Sequence, residues 1–182
     1  MRAPGGRTVT TASAGETRAF AAHLARAAGA GDRIALVGDL GAGKTQFAKG
    51  FAAGLGVRAV VNSPSFTLMA EYEGRLPLFH VDLFRLAGAE DALAGGVVDE
   101  RQVAGVSLVE WAERLEGAVA GFDLEVRFAG AADEPREISL VARSDAGGRY
   151  LEAARRWRPR AGRRGAGLGD AVRTSTPAEV PR

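Results

Sequence analysis

Cysteine is absent from this sequence, so neither a disulfide nor a thiolate metal site can form within the chain. Histidine is scarce, since only His23 and His80 occur, which argues against a histidine-rich metal site. The sequence also lacks an apolar run of about 18 residues, the length that a transmembrane helix needs. Its N-terminus has no long apolar stretch of the signal-peptide kind. We therefore expect a cytoplasmic protein without membrane contact.

Lysine is nearly absent as well: the sequence has 22 arginines, and its lysines are Lys44 and Lys49. Charge is unevenly distributed: residues 155–182 carry a net charge of +6, whereas residues 1–154 carry a net charge of −4. The basic end also has few large apolar side chains to bury, and such a composition favours disorder. We predict one folded domain over residues 1–154 and a disordered tail, rich in arginine and glycine, over residues 155–182.

Short apolar runs alternate with amphipathic segments along the domain, which indicates an α/β fold. Strands are predicted at residues 33–37, 67–72, 76–82, 107–110, 124–128 and 137–142. Helices are predicted from the capping box at residues 13–16 to about Ala28, and at residues 44–55, 89–103 and 149–157.

The segment GDLGAGKT at residues 38–45 matches the phosphate-binding pattern G-x-x-x-x-G-K-[ST] at every fixed position. Its glycines permit backbone conformations in which successive amides face an anion, and the following helix directs its positive dipole end to the same place. Lys44 supplies a compact ammonium for the β- and γ-phosphates, and the hydroxyl of Thr45 is a magnesium ligand. We therefore predict a site for a nucleoside triphosphate with magnesium.

Two carboxylates follow predicted strands, at the edge where ligands gather in open α/β sheets. Asp82 ends one apolar strand and Glu110 ends another. A phosphate-loop ATPase needs an acidic group to hold magnesium or to orient water, and either residue could serve.

Other polar and aromatic residues leave alternatives open. The hydroxyl-rich loop at residues 63–67 could sense the γ-phosphate or be an ordinary turn. His80 shares a strand face with Asp82 and is more typical of a packed, hydrogen-bonded histidine. Arg85 could contact phosphate or pair with Asp82, and Trp111 could pack in the core or contact the nucleotide or a partner.

Four motifs in this order and spacing, GDLGAGKT at 38–45, SPSFTL at 63–68, HVDLFRL at 80–86 and VEW at 109–111, resemble the bacterial TsaE family, formerly called YjeE. The resemblance extends over about residues 10–154. It implies a three-layer α/β/α phosphate-loop domain with a mixed, mainly parallel sheet. It also implies an ATPase needed for threonylcarbamoyladenosine at position 37 of tRNAs that read ANN codons. Its partners would be TsaD-like and TsaB-like proteins, and tRNA would be reached indirectly through that complex.

The resemblance also implies roles for individual residues. Catalytic roles are implied for Lys44, Asp82 and Glu110, and magnesium ligation for Thr45 and Glu110. The implied nucleotide-binding residues are Asp39, Leu40, Gly41, Ala42, Gly43, Lys44, Thr45, Thr67 and Trp111. Thr67 resembles a switch threonine near the γ-phosphate. The sequence departs from the family pattern at Gln46, Ser65, Phe66 and Phe84, and none of these departures removes a phosphate or metal ligand.

Three other functions can be weighed against this interpretation. A small-molecule kinase on the same fold is the alternative, with the arginines of residues 155–164 imitating a lid. A GTPase of the common type needs N-K-x-D, and no lysine follows Asn62, the sole asparagine, so ATP is the expected nucleotide. A non-enzymatic scaffold could bind tRNA through the arginine-rich tail.

Overall fold

The computed structural model describes residues 5–86, 100–115, 121–130 and 135–159. Within these ranges the chain forms seven β-strands and three α-helices. The strands are β1 (Gly6–Thr11), β2 (Arg33–Val37), β3 (Met69–Tyr72), β4 (Leu78–Asp82), β5 (Val106–Glu110), β6 (Leu124–Ala129) and β7 (Arg136–Ala142). The helices are α1 (Ala14–Ala25), α2 (Lys44–Gly54) and α3 (Asp145–Arg156), with short 3-10 helices at Glu100–Ala104 and Ala112–Arg114.

The seven strands form one mixed sheet in the order β1-β7-β6-β2-β5-β4-β3. The four central strands β6, β2, β5 and β4 are mutually parallel, and antiparallel pairs join β7 to β6 and to β1, and β3 to β4. Five of the seven strands therefore run in one direction. The predicted α/β class and mixed, mainly parallel sheet are confirmed.

The sheet carries a hydrophobic cluster on each face. The larger cluster contains residues from all three α-helices, among them Phe20, Phe47, Phe51 and Tyr150, packed with strand residues such as Leu36 and Leu108. The smaller cluster consists of Ala35, Val81, Leu83, Val109, Ala112 and Phe122. Among the described helices, none combines the length and the apolar character needed to cross a bilayer.

Two glycines let α2 approach α1 closely. A Cβ on Gly50 would overlap the backbone of Arg18, and one on Gly54 would lie 2.5 Å from the carbonyl oxygen of Ala22. Both contacts involve backbone atoms, which cannot relieve the overlap by a change of rotamer as a side chain could. The α1–α2 packing therefore depends on the absence of side chains at these two positions.

The start of α1 agrees with the prediction, whereas the end of α1 and the start of α3 differ from it. Ser13 caps α1 as predicted, because its hydroxyl accepts from the amide of Glu16 at 3.1 Å. This helix ends at Ala25, earlier than the expected Ala28. At the other end of the chain, the Ser144 hydroxyl accepts from the amide of Gly147, so α3 begins at Asp145 and not at residue 149.

Several strand predictions also needed correction. Strand β1 was not predicted, because its exposed, polar sequence GRTVTT is stabilised by pairing with β7 along its whole length. Strand β3 begins at Met69 because Leu68 has a φ of +62°, which interrupts extended backbone.

Of the helix predicted at 89–103, residues 89–99 lie outside the described residues and residues 100–103 belong to a 3-10 helix. Residues 160–182 of the predicted tail also lie outside them.

Candidate nucleotide-binding site

One edge of the sheet gathers the residues that the sequence singled out. The carboxyl ends of the parallel strands β2, β4, β5 and β6 meet there, and the antiparallel β7 begins there. The phosphate loop follows β2, Asp82 ends β4 and Glu110 ends β5. In the sheet register Asp82 is paired with Glu110, so the two predicted carboxylates lie on neighbouring strands.

The phosphate loop has the backbone conformation that its glycines were expected to supply. Gly38, Gly41 and Gly43 have φ angles of +144°, +79° and +111°. A Cβ on Gly38 would lie 2.6 Å from the carbonyl oxygen of Phe128 on β6, so this glycine is also required by close packing. Gly43 is the N-cap of α2, which places the positive end of that helix dipole at the loop.

Lys44 lies folded back over the loop. Its ammonium donates hydrogen bonds to the carbonyl oxygens of Gly38 and Asp39, the latter at 2.8 Å. It also lies 3.6 Å from the ring centroid of Trp111. Burial lowers the pKa of Lys44, against the opposing effect of several carboxylates, of which Glu110 is the strongest. A buried ammonium held by two carbonyls and an aromatic face can exchange these partners for phosphate oxygens.

Glu110 links the phosphate loop to the core. Its Oε2 accepts a 3.0 Å hydrogen bond from the Thr45 hydroxyl, and its Oε1 accepts a 2.8 Å hydrogen bond from Nε2 of His80. Glu110 and His80 are both buried. His80 therefore holds the carboxylate in one orientation, with its second oxygen directed at Thr45.

The Thr45 and Glu110 oxygens fit magnesium. Neighbouring ligands of an octahedral Mg²⁺ with bonds of 2.0–2.1 Å lie about 3 Å apart, which matches the observed separation of these two oxygens. The described residues contain no cluster of three or more histidine, cysteine or acidic side chains of the kind that forms an all-protein metal cage. Magnesium commonly completes its shell with water and substrate phosphates, so two protein oxygens suffice.

Asp82 is held by a separate group of donors. Its Oδ2 accepts from the hydroxyls of Ser63 and Ser65, the second at 2.7 Å, and its Oδ1 accepts from the amide of Phe84 at 2.9 Å. The hydroxyl oxygens of the two serines lie 2.6 Å from each other. The hydroxyl-rich loop thus contacts the carboxylate on β4, whereas Thr67 of the same loop is exposed.

Trp111 and Arg85, whose roles the sequence left open, both contact aromatic or basic side chains near the site. Trp111 has a φ of +61°, which turns its indole over Lys44 and beside Phe84, with ring centroids 5.0 Å apart. The guanidinium of Arg85 lies 4.0 Å from the ring centroid of Phe66 and forms no ion pair with Asp82, although both are described residues. Of the two alternatives for Arg85, the pairing with Asp82 is therefore not formed, and the phosphate contact stays a prediction.

An open cavity of about 430 Å³ connects these groups, a volume within the usual range for small-molecule sites. Its lining includes Leu40, Gly41, Gly43, Lys44, Thr45, Asp82, Glu110 and Trp111 from the predicted set. Asp39, Ala42 and Thr67 do not line it, and the nucleotide contacts of all nine residues stay predictions. The cavity is also lined by Ala14, Gln46 and Arg136, which the sequence did not single out as site residues.

Comparisons with known proteins show which family this chain resembles. Residues 11–138 match the family model described as threonylcarbamoyl adenosine biosynthesis protein TsaE. The Bacillus subtilis protein named tRNA threonylcarbamoyladenosine biosynthesis protein TsaE is 44% identical over 136 residues, covering 74% of this chain and 83% of that protein. A protein of the same name from Treponema pallidum is 38% identical over 129 residues, covering 71% and 96%. The crystal structure of Bacillus subtilis YdiB superposes with a TM-score of 0.63 at 36% identity, covering 86% of this chain and 98% of that one.

Proposed function

The chain belongs to the TsaE family, and from that membership we propose that it binds and hydrolyses Mg·ATP in support of threonylcarbamoyladenosine formation on tRNA. The observation that carries the proposal is the convergence of Lys44, Thr45 and Glu110 at the phosphate loop. The names of the relatives support a role in threonylcarbamoyladenosine biosynthesis. The cluster of Lys44, Thr45 and Glu110 supports binding of a nucleotide with magnesium.

Binding would begin with the triphosphate replacing the internal partners of Lys44. The ammonium would leave the carbonyls of Gly38 and Asp39 for the β- and γ-phosphates, while the loop amides and the start of α2 face the same oxygens. Thr45 and Glu110 would hold magnesium, which when bound offsets charge on the phosphates. Because His80 already fixes Glu110, this carboxylate would need little rearrangement.

Hydrolysis would be in-line attack of water on the γ-phosphorus, with the bond to the β–γ bridging oxygen breaking to give ADP and inorganic phosphate. Asp82 is the group placed to accept a hydrogen bond from that water, because it lines the cavity and its own orientation is set by Ser63, Ser65 and the Phe84 amide. Lys44 would offset the negative charge that develops on the phosphoryl oxygens.

Partner proteins of the TsaD and TsaB type would complete the reaction on tRNA, which the chain itself would reach only through them. Two apolar side chains near the site, Leu40 and Phe66, are 77% and 84% exposed, which supports contact with a partner close to the nucleotide. We expect slow hydrolysis by the chain alone and faster hydrolysis when the partners are present.

The test is reconstitution with TsaD-type and TsaB-type proteins, a threonylcarbamoyl donor, Mg·ATP and unmodified tRNA, with modified adenosine measured by mass spectrometry. Modification should depend on this chain, and Lys44→Ala should abolish that dependence. Omission of the chain without effect on sustained modification would contradict the proposal. Measuring free phosphate distinguishes ATP hydrolysis from the kinase alternative, since a kinase would yield a phosphorylated acceptor and not free phosphate.

A further inference from the structure

One half of a sheet face has no covering layer among the described residues. All three α-helices pack on the face that holds the larger cluster, to which β6 and β7 contribute Leu124, Val126, Phe128, Ile138, Leu140 and Ala142. The alternate residues of these strands point to the other face. The smaller cluster on that face takes its buried side chains from β2, β4, β5 and connecting segments, and none from β6, β7 or β1.

The uncovered half, which we call the open face, is polar and flat. It consists of the alternate residues of three neighbouring strands: Glu125, Arg127 and Ala129 of β6, Glu137, Ser139 and Val141 of β7, and Gly6, Thr8 and Thr10 of β1. Ser139 lies in register between Thr8 and Arg127, and the hydroxyl oxygens of Thr8 and Ser139 are 2.9 Å apart. Apart from its charged residues, the open face carries only short side chains, so nothing projects that would keep another protein at a distance.

Two arginines converge on a buried carboxylate at the open face. Oε1 of Glu125 accepts a 2.5 Å hydrogen bond from Nε of Arg127, and Oε2 accepts from Nε and Nη2 of Arg143, the first of these at 3.2 Å. The side chain of Glu125 is 3% exposed, whereas that of Arg127 is 58% exposed. Burial alone would raise the pKa of Glu125, but the two arginines lower it, so the carboxylate stays charged at neutral pH and holds both guanidinium groups.

This arrangement leaves donors available for a second anion. Glu125 balances one of the two positive charges, and Arg127 uses only its Nε in the described contacts, so its terminal nitrogens remain as donors on an exposed side chain. A guanidinium presents planar N–H groups that match the two oxygens of a carboxylate. Because Glu125 already orients both arginines, an anion that approaches from outside needs to immobilise little more.

The neighbouring charges favour a protein carboxylate over a nucleic-acid backbone. Glu137 is exposed on the open face, and Asp145 is exposed two residues beyond Arg143. The amide of Arg143 also binds the carbonyl of Asp123, another acidic residue. A row of phosphates would meet these acidic groups, whereas a protein surface can place one carboxylate at the arginines and neutral or basic groups beside Glu137.

We propose that the open face is a docking surface for a partner protein, with an aspartate or glutamate of that partner bound by Arg127 and Arg143. The assignment rests on the proposed function, because it takes the TsaD-type and TsaB-type proteins as the partners. The open face lies on the side of the sheet opposite α2, which carries Lys44 and Thr45, and its arginines do not line the nucleotide cavity. Docking there holds the chain to its partners and leaves the nucleotide site free.

The experiment measures association of the full chain with TsaD-type and TsaB-type proteins for the wild type, Arg127→Gln and Arg155→Gln. Glutamine removes the positive charge and keeps an amide donor. Arg155→Gln is the matched control, because Arg155 is 57% exposed and also pairs with a glutamate, Glu152, but on α3 at the other face of the sheet. We expect Arg127→Gln to weaken the complex about 5- to 10-fold, mainly through slower association with a smaller salt dependence. The control should match the wild type, and ATP affinity of the isolated chain should be the same in all three.

The outcomes separate this inference from the function beneath it. A wild-type chain that forms no complex with these proteins would remove the partners from the proposed function. A wild-type complex together with equal affinity and salt dependence in Arg127→Gln and Arg155→Gln would overturn the docking surface alone. Loss of tRNA affinity in Arg127→Gln with partner affinity unchanged would also overturn it, because it would assign the arginine to RNA.

A second measurement uses only wild-type protein and so does not depend on folding of a variant. Phenylglyoxal modifies accessible arginines, and mass spectrometry of peptides locates each modified residue. Arg127 and Arg143 should react more slowly in the complex than in the free chain, whereas Arg155 should react equally in both. Equal reactivity of Arg127 in the two states would contradict the contact.

Discussion

The Thr45 hydroxyl donates a 3.0 Å hydrogen bond to Oε2 of Glu110, which joins the first turn of α2 to the end of β5. In the proposed function these two residues would hold magnesium, which would supply positive charge to offset the phosphates. The hydrogen bond brings together two residues that are 65 positions apart in the sequence.

Glu110→Gln should separate nucleotide binding from hydrolysis. The amide keeps the shape of the side chain and removes the charge that would hold magnesium in the proposed function, so turnover of Mg·ATP should fall by about 100-fold or more. Affinity for ADP measured without magnesium should stay near the wild-type value, because Lys44 and the loop are unchanged. Wild-type turnover in this variant would remove Glu110 from the metal site.

His80 should act through Glu110. Replacing it with phenylalanine removes the Nε2 donor that fixes Oε1 of Glu110, so the magnesium concentration for half-maximal hydrolysis should rise by about 10-fold or more. His80→Gln provides a side chain with a donor of similar reach and should recover part of the loss. Equal magnesium dependence in the two variants would show that the hydrogen bond has no positioning role.

ATP binding should be accompanied by proton uptake at alkaline pH. Burial lowers the pKa of Lys44 in the nucleotide-free protein, and the phosphate charges of a bound nucleotide should raise it again. Calorimetric titrations at one pH in buffers of different ionisation enthalpy measure that uptake, which should grow as the pH approaches the lowered pKa from below. Lys44→Ala is the control and should show no such increase.

The lowered pKa of Lys44 also determines how the free energy of unfolding changes with pH. The unfolded chain keeps the lysine proton up to about the ordinary value of 10.5, whereas the folded chain loses it at lower pH. The unfolded state thus binds more protons between the two pKa values, and the contribution of Lys44 to the free energy of unfolding rises with pH there. Unfolding in denaturant at a series of alkaline pH values, compared with Lys44→Ala, should show this rise.

Two glycine substitutions should have opposite effects on stability. Gly50→Ala introduces a Cβ into the backbone of Arg18 and should lower the free energy of unfolding by about 1–3 kcal/mol. Gly148, within α3, has open space where a methyl group would lie, because among the described residues no atom from outside its own stretch of helix comes within 4 Å. Gly148→Ala should therefore raise that free energy by about 0.5–1 kcal/mol. Denaturant titrations measure both, and a neutral Gly50→Ala would show that the helices can move apart at little cost.

The phosphate loop and the two carboxylates could be predicted because their signals are local. A loop of fixed spacing follows a short apolar strand, and Asp82 and Glu110 each end an apolar run. Their meeting at one edge follows from the parallel arrangement of the central strands. The sheet register places the two acidic residues side by side, which the sequence pattern did not predict.

Arg136 and β1 could not be predicted because their placement depends on pairing between the two ends of the domain. Strand β1 has little apolar pattern of its own, and its register with β7 places Thr11 beside Arg136. One arginine among 22 carries no local mark of function. The contacts of Ser63 and Ser65 with Asp82 likewise depend on how the loop folds against β4.

The most direct test of the proposed nucleotide site is calorimetric titration of Mg·ATP into the wild type and Lys44→Ala at neutral pH. We expect saturable binding of one nucleotide per chain, weakened about 10- to 100-fold or more when the ammonium is removed. Wild-type protein without a heat of binding at millimolar Mg·ATP, together with an unchanged melting temperature, would contradict the site. Equal affinities in the two proteins would contradict it as well.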